Sequence, residues 1–182
     1  MKKRISFDID GVIVDYPKIW LDYLEIQTGV RFISSDEARE ALGSTYVLIK
    51  NQYRVSDYKY SRPIKPEAKF LSELIKSLGI LSVVHTSRLQ REFHASEERI
   101  STWLTGEGFY HAGVYPKTKQ MFQENGPILH LDDDAELCLK MSEWGLSTKF
   151  IYFNGSLTQV IAKQIKGIAE INHLENYDHS DV

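Results

Sequence analysis

The sequence predicts an α/β fold, a Rossmann-like three-layer sandwich with a central parallel sheet and a small, mostly helical cap inserted after the first strand. Two observations predict it. Short apolar runs alternate with stretches of helical periodicity, and the segment after the first run, residues 16–63, shows no strand. The runs cover residues 5–9, 80–84, 112–115, 128–131 and 150–153. Strands that alternate with helices imply a parallel sheet covered on both faces.

Helices are predicted between these runs. Pro66 suits the first turn of a helix, apolar residues follow it at helical spacing, and Gly79 ends the pattern. Later helices are marked by three groups of apolar residues: Ile100, Trp103 and Leu104; Leu137, Met141 and Trp144; and Leu157, Val160, Ile161, Ile165 and Ile168.

The cap is predicted at residues 16–63, and the core at residues 1–15 and 64–172. We expect one cap helix around Trp20 and a second over residues 38–49. Cap tyrosines alternate with basic residues, in the order Tyr46, Lys50, Tyr53, Arg54, Tyr58, Lys59, Tyr60, Arg62. Most of these rings are expected to form a small core of their own, although some could stack on a ligand. Residues 173–182 are polar and are expected to be a disordered tail.

Composition narrows the function. The formal net charge of −3 argues against a general nucleic-acid surface, and no apolar stretch approaches the length of a membrane span. Cys138 is the only cysteine, so an intrachain disulfide is impossible and a reducing cytoplasm is the expected location. The oligomeric state is left open by the sequence.

The first apolar run ends in a pair of acids. Asp8 and Asp10 stand two residues apart and directly before Gly11. On a strand, two such residues share a face, and two close carboxylates resist ionising unless a cation joins them. Mg²⁺ favours oxygen ligands of this kind together with a phosphate. The alternative is a strand-to-turn junction whose aspartates cap the next segment.

Three later strand ends carry groups that such a site would need. Thr86 and Ser87 follow the second strand, and Lys117 or Lys119 follows the third. The fourth strand runs into Asp132–Asp134, where like charges disfavour one another without a metal. Ligands of open α/β sheets bind just beyond the carboxyl ends of the strands, so these groups are expected to meet.

This order of motifs resembles the haloacid dehalogenase (HAD) superfamily of phosphohydrolases. The family pattern is an apolar strand ending in DxDG, then a strand-end Thr, then a Lys, then an apolar strand ending in DD. All four stand in sequence here, and the resemblance covers residues 4–15 and 64–154. It implies a Mg²⁺-dependent phosphatase that works through an aspartyl-phosphate.

The resemblance also implies roles for single residues. Asp8 would be the nucleophile, and Asp10 would protonate the leaving group, activate water and contact Mg²⁺ through its backbone carbonyl. Thr86 and the Ser87 backbone would bind the phosphoryl group, and Lys117 would stabilise Asp8 and the phosphate, with Lys119 as the alternative. Asp132 and Asp133 would complete the metal site, with Asp133 favoured as the direct ligand and Asp132 as its support.

The substrate implied is a small phosphorylated metabolite. Thr86-Ser87-Arg88, Trp103-Leu104 and Leu131-Asp132-Asp133 look most like the 5′(3′)-deoxyribonucleotidase branch, which implies a nucleoside monophosphate. A sugar-phosphate phosphatase is an alternative, because basic and aromatic cap residues would serve a sugar equally well. A polynucleotide 3′-phosphatase and a non-catalytic phosphate-binding protein are further alternatives.

Overall fold

The structure, a computed structural model, describes residues 2–89 and 95–177, and for residues 171–177 it describes the backbone alone. Within those residues, one five-stranded parallel sheet has the order β3-β2-β1-β4-β5. The strands are β1 (Arg4–Phe7), β2 (Leu81–Thr86), β3 (Val114–Pro116), β4 (Leu129–Asp132) and β5 (Lys149–Tyr152). The helices of the core are α4 (Pro66–Ser77), α5 (Glu97–Gly106), α6 (Lys119–Asn125), α7 (Ala135–Ser142) and α8 (Thr158–Tyr177).

The sheet order creates a switch point beside β1. The chain builds outward through β2 and β3, then returns across β1 to add β4 and β5. Because such crossovers are right-handed, α4 and α5 cover one face of the sheet and α6 and α7 cover the other. The α8 helix packs against α4. This arrangement confirms the predicted α/β architecture.

The register of the sheet aligns the predicted motifs. Phe7 lies opposite both Val84 and Leu131, and Thr86 lies opposite Pro116. The residues that follow these positions therefore meet at the carboxyl edge of the sheet, where open α/β folds bind their ligands.

The cap segment, residues 16–63, is helical throughout its regular structure. It contains α1 (Lys18–Thr28), α2 (Ser35–Leu42), α3 (Ser44–Val55) and a 3₁₀ turn at Asp57–Tyr60. The single helix predicted over residues 38–49 is wrong, because Gly43 divides it. Gly43 has a φ of 52° and a ψ of −126°, a conformation that residues with a side chain rarely adopt.

The cap aromatics form their own core, as expected for most of them. Trp20 is 0% exposed. Its ring centroid lies 6.2 Å from Tyr23, 5.4 Å from Tyr46 and 5.2 Å from Tyr53. Aromatic pairs at these distances add stability beyond their buried area. These rings form the apolar centre of the cap, and they belong to the same hydrophobic cluster as Phe7 of the sheet.

The C-terminal helix is longer than predicted. Residues 173–177, expected in the tail, belong to α8, and residues 178–182 lie outside the described residues. Among the described residues, no helix is both long and apolar enough to cross a membrane.

The cap core yields a stability prediction. Trp20→Ala should lower the free energy of unfolding by about 3–5 kcal/mol, because it removes a fully buried ring and leaves a cavity. Leu48→Ala on α3 is the matched control; this side chain is 64% exposed, so its replacement should change stability by less than about 0.5 kcal/mol. Urea unfolding measures both variants, and equal losses would show that the ring cluster does not stabilise the cap.

Candidate active site

The chain leaves the sheet at Asp8. The Asp8 amide still donates to the Leu131 carbonyl at 2.9 Å, which extends the pairing with β4 by one residue. The chain then turns, and the amides of Ile13 and Val14 both donate to the Ile9 carbonyl. The prediction that Asp8 and Asp10 share one strand face is therefore wrong, because Asp10 already lies in the turn.

Gly11 lets two acidic segments approach closely. Its φ is +78°, and a Cβ at this position would overlap the Asp133 side chain. Its carbonyl accepts a hydrogen bond of 2.9 Å from the Lys65 ammonium. Only glycine fits here without strain or collision, so Gly11 sets the distance between the first and fourth motifs.

Lys117 lies between two of the predicted acids. Its Nζ is 3.0 Å from Asp8 Oδ2 and 2.8 Å from Asp132 Oδ2. All three side chains are buried, with exposed fractions of 8% for Lys117, 7% for Asp8 and 1% for Asp132. Hydrogen bonds between charged groups are the stronger kind, and burial strengthens them further. Lys119 is exposed at the start of α6, so the geometry favours Lys117 for the predicted lysine.

Asp132 has its oxygens engaged. Oδ2 contacts Lys117 and His130 Nε2, the latter at 3.2 Å, and Oδ1 accepts from the Asp134 amide at 3.1 Å. Burial would raise the pKa of Asp132, but the His130 hydrogen bond and the Lys117 charge hold it well below its usual range. Asp132 is therefore an ionised, immobilised carboxylate, which suits the supporting role predicted for it.

Hydrogen-bonded polar side chains on β1, β2 and β4 hold Asp132 in this position. Ser6 Oγ lies 2.7 Å from His85 Nδ1 and 2.8 Å from His130 Nδ1. Both rings stack on or abut Phe122 of α6, at 4.1 and 4.9 Å between centroids. Burial lowers the pKa of His85 to about 3 and also lowers the pKa of His130. His130 therefore orients Asp132 as a neutral ring.

Three carboxylates can share a cation. Asp8, Asp132 and Asp133 each offer an oxygen, and these atoms lie within 4.8 Å of one another. Asp8 Oδ1 is buried and has no hydrogen-bond partner among the residues that the structure describes, which is costly for a carboxylate oxygen without a ligand.

The protonation of two of these acids also fits a cation. Burial, with the charges of Asp132 and Asp10, raises the pKa of Asp8 to about 7 against the influence of Lys117. Burial and the Asp132 charge raise the pKa of Asp133 to about 6. A divalent cation between the acids would relieve both penalties, so the donor set fits Mg²⁺.

Asp10 belongs to a different pair. Arg88 Nε donates to Asp10 Oδ2 at 3.0 Å, and its NH2 group donates to Oδ1 at 2.6 Å. Burial would raise the pKa of Asp10, but the Arg88 charge and hydrogen bonds outweigh it, so the pKa lies below its usual value. The Asp10 carboxylate thus lies outside the three-acid group, which leaves only its backbone carbonyl for the predicted metal contact.

The second motif lies beside this pair. Thr86 is 1% exposed, and its hydroxyl accepts from the Arg88 amide at 3.1 Å. The Lys117 amide donates to the Thr86 carbonyl at 3.2 Å, which couples the second and third motifs. Ser87 is half-buried and lines the pocket described next.

A pocket of about 250 Å³ separates the cap from the carboxyl edge of the sheet. The core contributes Asp10, Ser87 and Arg88, and the cap segment contributes Tyr16, Lys50, Tyr53, Arg54 and Lys59. The predicted catalytic residue Asp10 and the predicted cap therefore line the same pocket.

The fold matches known structures, although the sequence matches no protein-family profile and no curated protein. A candidate beta-phosphoglucomutase from Thermotoga maritima superposes with a TM-score of 0.53 at 16% identity, over 88% of this chain and 91% of that chain. A HAD-superfamily hydrolase of subfamily IA, variant 1, from Geobacter sulfurreducens superposes with a TM-score of 0.52 at 12% identity, over 83% and 86%.

The chain has the HAD-superfamily fold. The resemblance carried by the four motifs is thereby confirmed at the level of the fold, and at these identities nothing finer follows. The deoxyribonucleotidase branch remains a prediction.

Within this HAD fold, several residues of the site are not predicted by the sequence. The sequence marks Arg88 only as part of a motif, yet it directly follows Thr86-Ser87 and holds Asp10. His130 is not predicted, because a lone histidine in an apolar strand gives no signal. Lys50 is one of several basic cap residues, and sequence spacing cannot show which of them face the pocket.

The geometry predicts which acid binds metal directly. Mg²⁺ should raise the melting temperature of the wild type, since ligand binding stabilises the folded state. Asp133→Asn should weaken Mg²⁺ binding by about tenfold or more, whereas Asp134→Asn should leave it unchanged.

Asp134 is a suitable control because its side chain caps α7 by accepting from the Leu137 amide, and Asn caps equally well. Thermal melts at increasing Mg²⁺ concentration measure both variants. Equal loss in both, or no shift in the wild type, would contradict the assignment.

Proposed function

We propose that the protein is a Mg²⁺-dependent phosphatase that hydrolyses a small phosphomonoester through an aspartyl-phosphate intermediate. The observation that carries this proposal is the buried bridge from Asp8 through Lys117 to Asp132, with Asp133 beside it at the switch point of a HAD fold. Phosphoryl transfer needs an in-line nucleophile and cations on the equatorial oxygens, and these residues would provide both.

The proposed reaction has two halves. In the first, Asp8 attacks phosphorus, an aspartyl O–P bond forms, and the bond to the leaving oxygen breaks as Asp10 supplies a proton to it. In the second, water attacks phosphorus, gives its proton to Asp10 and releases phosphate from Asp8. Splitting the hydrolysis lowers each barrier. A bound Mg²⁺, held by Asp8, Asp133 and the Asp10 carbonyl with Asp132 in support, would supply charge neutralisation.

Arg88 favours the ionised state of the Asp10 carboxylate. The paired Asp10 carboxylate is ready to accept the proton of the attacking water, since Arg88 favours its ionised form. Protonating the leaving group requires Asp10 to take up a proton against that influence. Leaving groups that need little protonation would therefore react faster in the first half.

The phosphate itself would be held at the ends of β2 and β3. Thr86, with the Ser87 backbone, would bind phosphoryl oxygens on one side, and Lys117 would neutralise them on the other. Both segments are coupled by the hydrogen bond from the Lys117 amide to Thr86, so the cradle is preorganised, which is where electrostatic catalysis gains most.

The cap geometry bears on the two substrate classes predicted from the sequence. For a nucleoside monophosphate, a ring would have to stack on the base, and Trp20, Tyr23 and Tyr46 instead pack against one another. Tyr16 and Tyr53 do line the pocket. A sugar phosphate needs hydrogen-bond donors rather than ring faces, and the pocket's basic residues favour it as the second candidate. Both classes belong in a substrate panel.

The nucleophile assignment has a direct test. Asp8→Asn should abolish hydrolysis of p-nitrophenyl phosphate while leaving the circular dichroism spectrum unchanged, because the amide is isosteric but cannot attack phosphorus. Asp15→Asn, at an exposed position a few residues along the chain, should keep wild-type turnover. EDTA should remove the activity and Mg²⁺ should restore it. Full turnover by the Asp8 variant would refute the mechanism, and no turnover by the wild type on any panel compound would favour a binding protein.

The Arg88–Asp10 pair predicts a pH effect. Arg88→Met removes the interactions that lower the pKa of Asp10, while burial still raises it, so this pKa should rise. Asp10 then loses its ionised, basic form at a higher pH than in the wild type. The acid limb of the pH profile of kcat should therefore move to higher pH.

The pH profile of kcat for p-nitrophenyl phosphate measures this shift. Arg39→Met on the exposed surface of α2 is the control and should leave the profile in place. An acid limb that stays fixed or moves downward in the Arg88 variant would show that Arg88 does not govern Asp10.

A further inference from the structure

The pocket between cap and sheet has a basic lining. Among the residues that the structure describes, its charged lining side chains are four basic groups and one acid: Lys50, Arg54, Lys59, Arg88 and Asp10. The acid is already matched, because Asp10 pairs with Arg88 through two hydrogen bonds. Lys50 lies on the cap side of this space, and Asp10 and Arg88 lie on the core side.

Lys50 is the most informative of these cations. Among the described residues it makes one hydrogen bond, in which Nζ donates to the Tyr16 hydroxyl at 2.7 Å, and no salt bridge. An ammonium carries several N–H donors, so donors remain for a ligand. Its Nζ lies 4.0 Å from the Trp20 ring centroid and 4.9 Å from that of Tyr16, which holds the ammonium in place. Burial lowers the pKa of Lys50 to about 8.

Tyr53 supplies a second hydrogen-bond donor at the same pocket. Tyr53 lines the pocket, is 5% exposed, and its hydroxyl is buried without a hydrogen-bond partner among the described residues. Buried hydroxyls normally have a partner, because an unpaired one costs free energy. An oxygen anion beside Lys50 and Tyr53 would accept from both, which makes the ammonium and the phenol a matched pair of donors.

We propose that this pocket binds a second anionic group of the substrate, a carboxylate or a second phosphate on the leaving group, with Lys50 and Tyr53 as its donors. This assignment rests on the proposed phosphatase function and names the substrate class for it: a small phosphomonoester that carries a second negative charge. The volume of about 250 Å³ suits a short leaving group, because pockets for drug-sized ligands begin at about 300 Å³.

An alternative role for the basic residues of the pocket is to bind the phosphate backbone of a polynucleotide. Lys50 faces an enclosed aromatic setting rather than an open surface, and the chain has a net charge of −3. A compact anion inside the pocket fits these facts better. Single-stranded DNA enters the test as a competitor, and inhibition by it that falls steeply with salt would overturn the assignment.

The test measures inhibition of p-nitrophenyl phosphate hydrolysis by matched pairs of compounds. The carboxylate pair is 3-phosphoglycerate against glycerol 3-phosphate, and the phosphate pair is propane-1,3-diol bisphosphate against 3-hydroxypropyl phosphate. For the wild type, the doubly anionic member of at least one pair should bind about ten- to a hundredfold more tightly than its partner. The pair that shows the preference identifies the anion.

Variants assign the preference to Lys50. Lys50→Met keeps the length and apolar stem of the side chain and should reduce the preference about tenfold, while the inhibition constant of the singly anionic member changes little. Lys50→Arg should keep most of the preference. Lys163→Met, on the exposed side of α8, should change nothing.

The outcomes separate the two proposals. If neither p-nitrophenyl phosphate nor any panel compound, these four esters included, is hydrolysed, the phosphatase function fails, and the anion assignment that rests on it fails as well. If hydrolysis occurs but the wild type shows no preference in either pair, or Lys50→Met keeps the full preference, the anion assignment fails alone. Because the wild-type comparison is decisive by itself, a Lys50→Met variant that does not fold leaves the test intact.

Discussion

The crowding of acids at one sheet edge is the constraint on which this structure depends. Parallel strands β1 and β4 end side by side, so Asp8 and Asp132–Asp133 are forced together in a buried space. Carboxylates at such distances repel, and burial amplifies the repulsion. Lys117 offsets part of it by contacting Asp8 and Asp132 at once. The remaining negative field would favour a divalent cation, so the repulsion that costs stability at the sheet edge is what suits the proposed metal site there.

Two cations divide the acids into two functional sets. Lys117 serves the acids of the sheet edge, whereas Arg88 takes Asp10 out of that group and holds it in the turn. Neighbouring carboxylates with different partners acquire different protonation behaviour: the pKa of Asp8 rises and that of Asp10 falls. Such divergence is the usual basis for giving two acids separate roles in one reaction. His130 and Ser6 then keep Asp132 rigid, so the division does not relax.

The sequence predicted the architecture because the strands lie in short, mostly apolar runs separated by helical periodicity, and those runs also placed Thr86, Lys117 and Asp132 at one edge. The predictions that failed concern local backbone geometry. The shared strand face of Asp8 and Asp10 failed because β1 ends at Phe7 and the backbone turns at once. The single helix over residues 38–49 failed because the backbone of Gly43 breaks it. Arg88 and Asp10 are 78 positions apart, and no spacing along the chain encodes their pairing. His130 is close to Asp132 in the chain, but a histidine inside a strand does not reveal that its ring contacts the following acid.

The cap positions polar side chains at the pocket that it shares with the carboxyl edge of the sheet. Trp20, Tyr23, Tyr46 and Tyr53 pack against one another, and Tyr53 also lines the pocket. Lys50 lies over the Trp20 ring and so takes its position from the same aromatic cluster. The ring contacts favour the ammonium, but its burial costs free energy because part of its hydration is lost. On the proposed anion assignment, a substrate with a second anion would offset this cost, and a singly charged substrate would leave it in place.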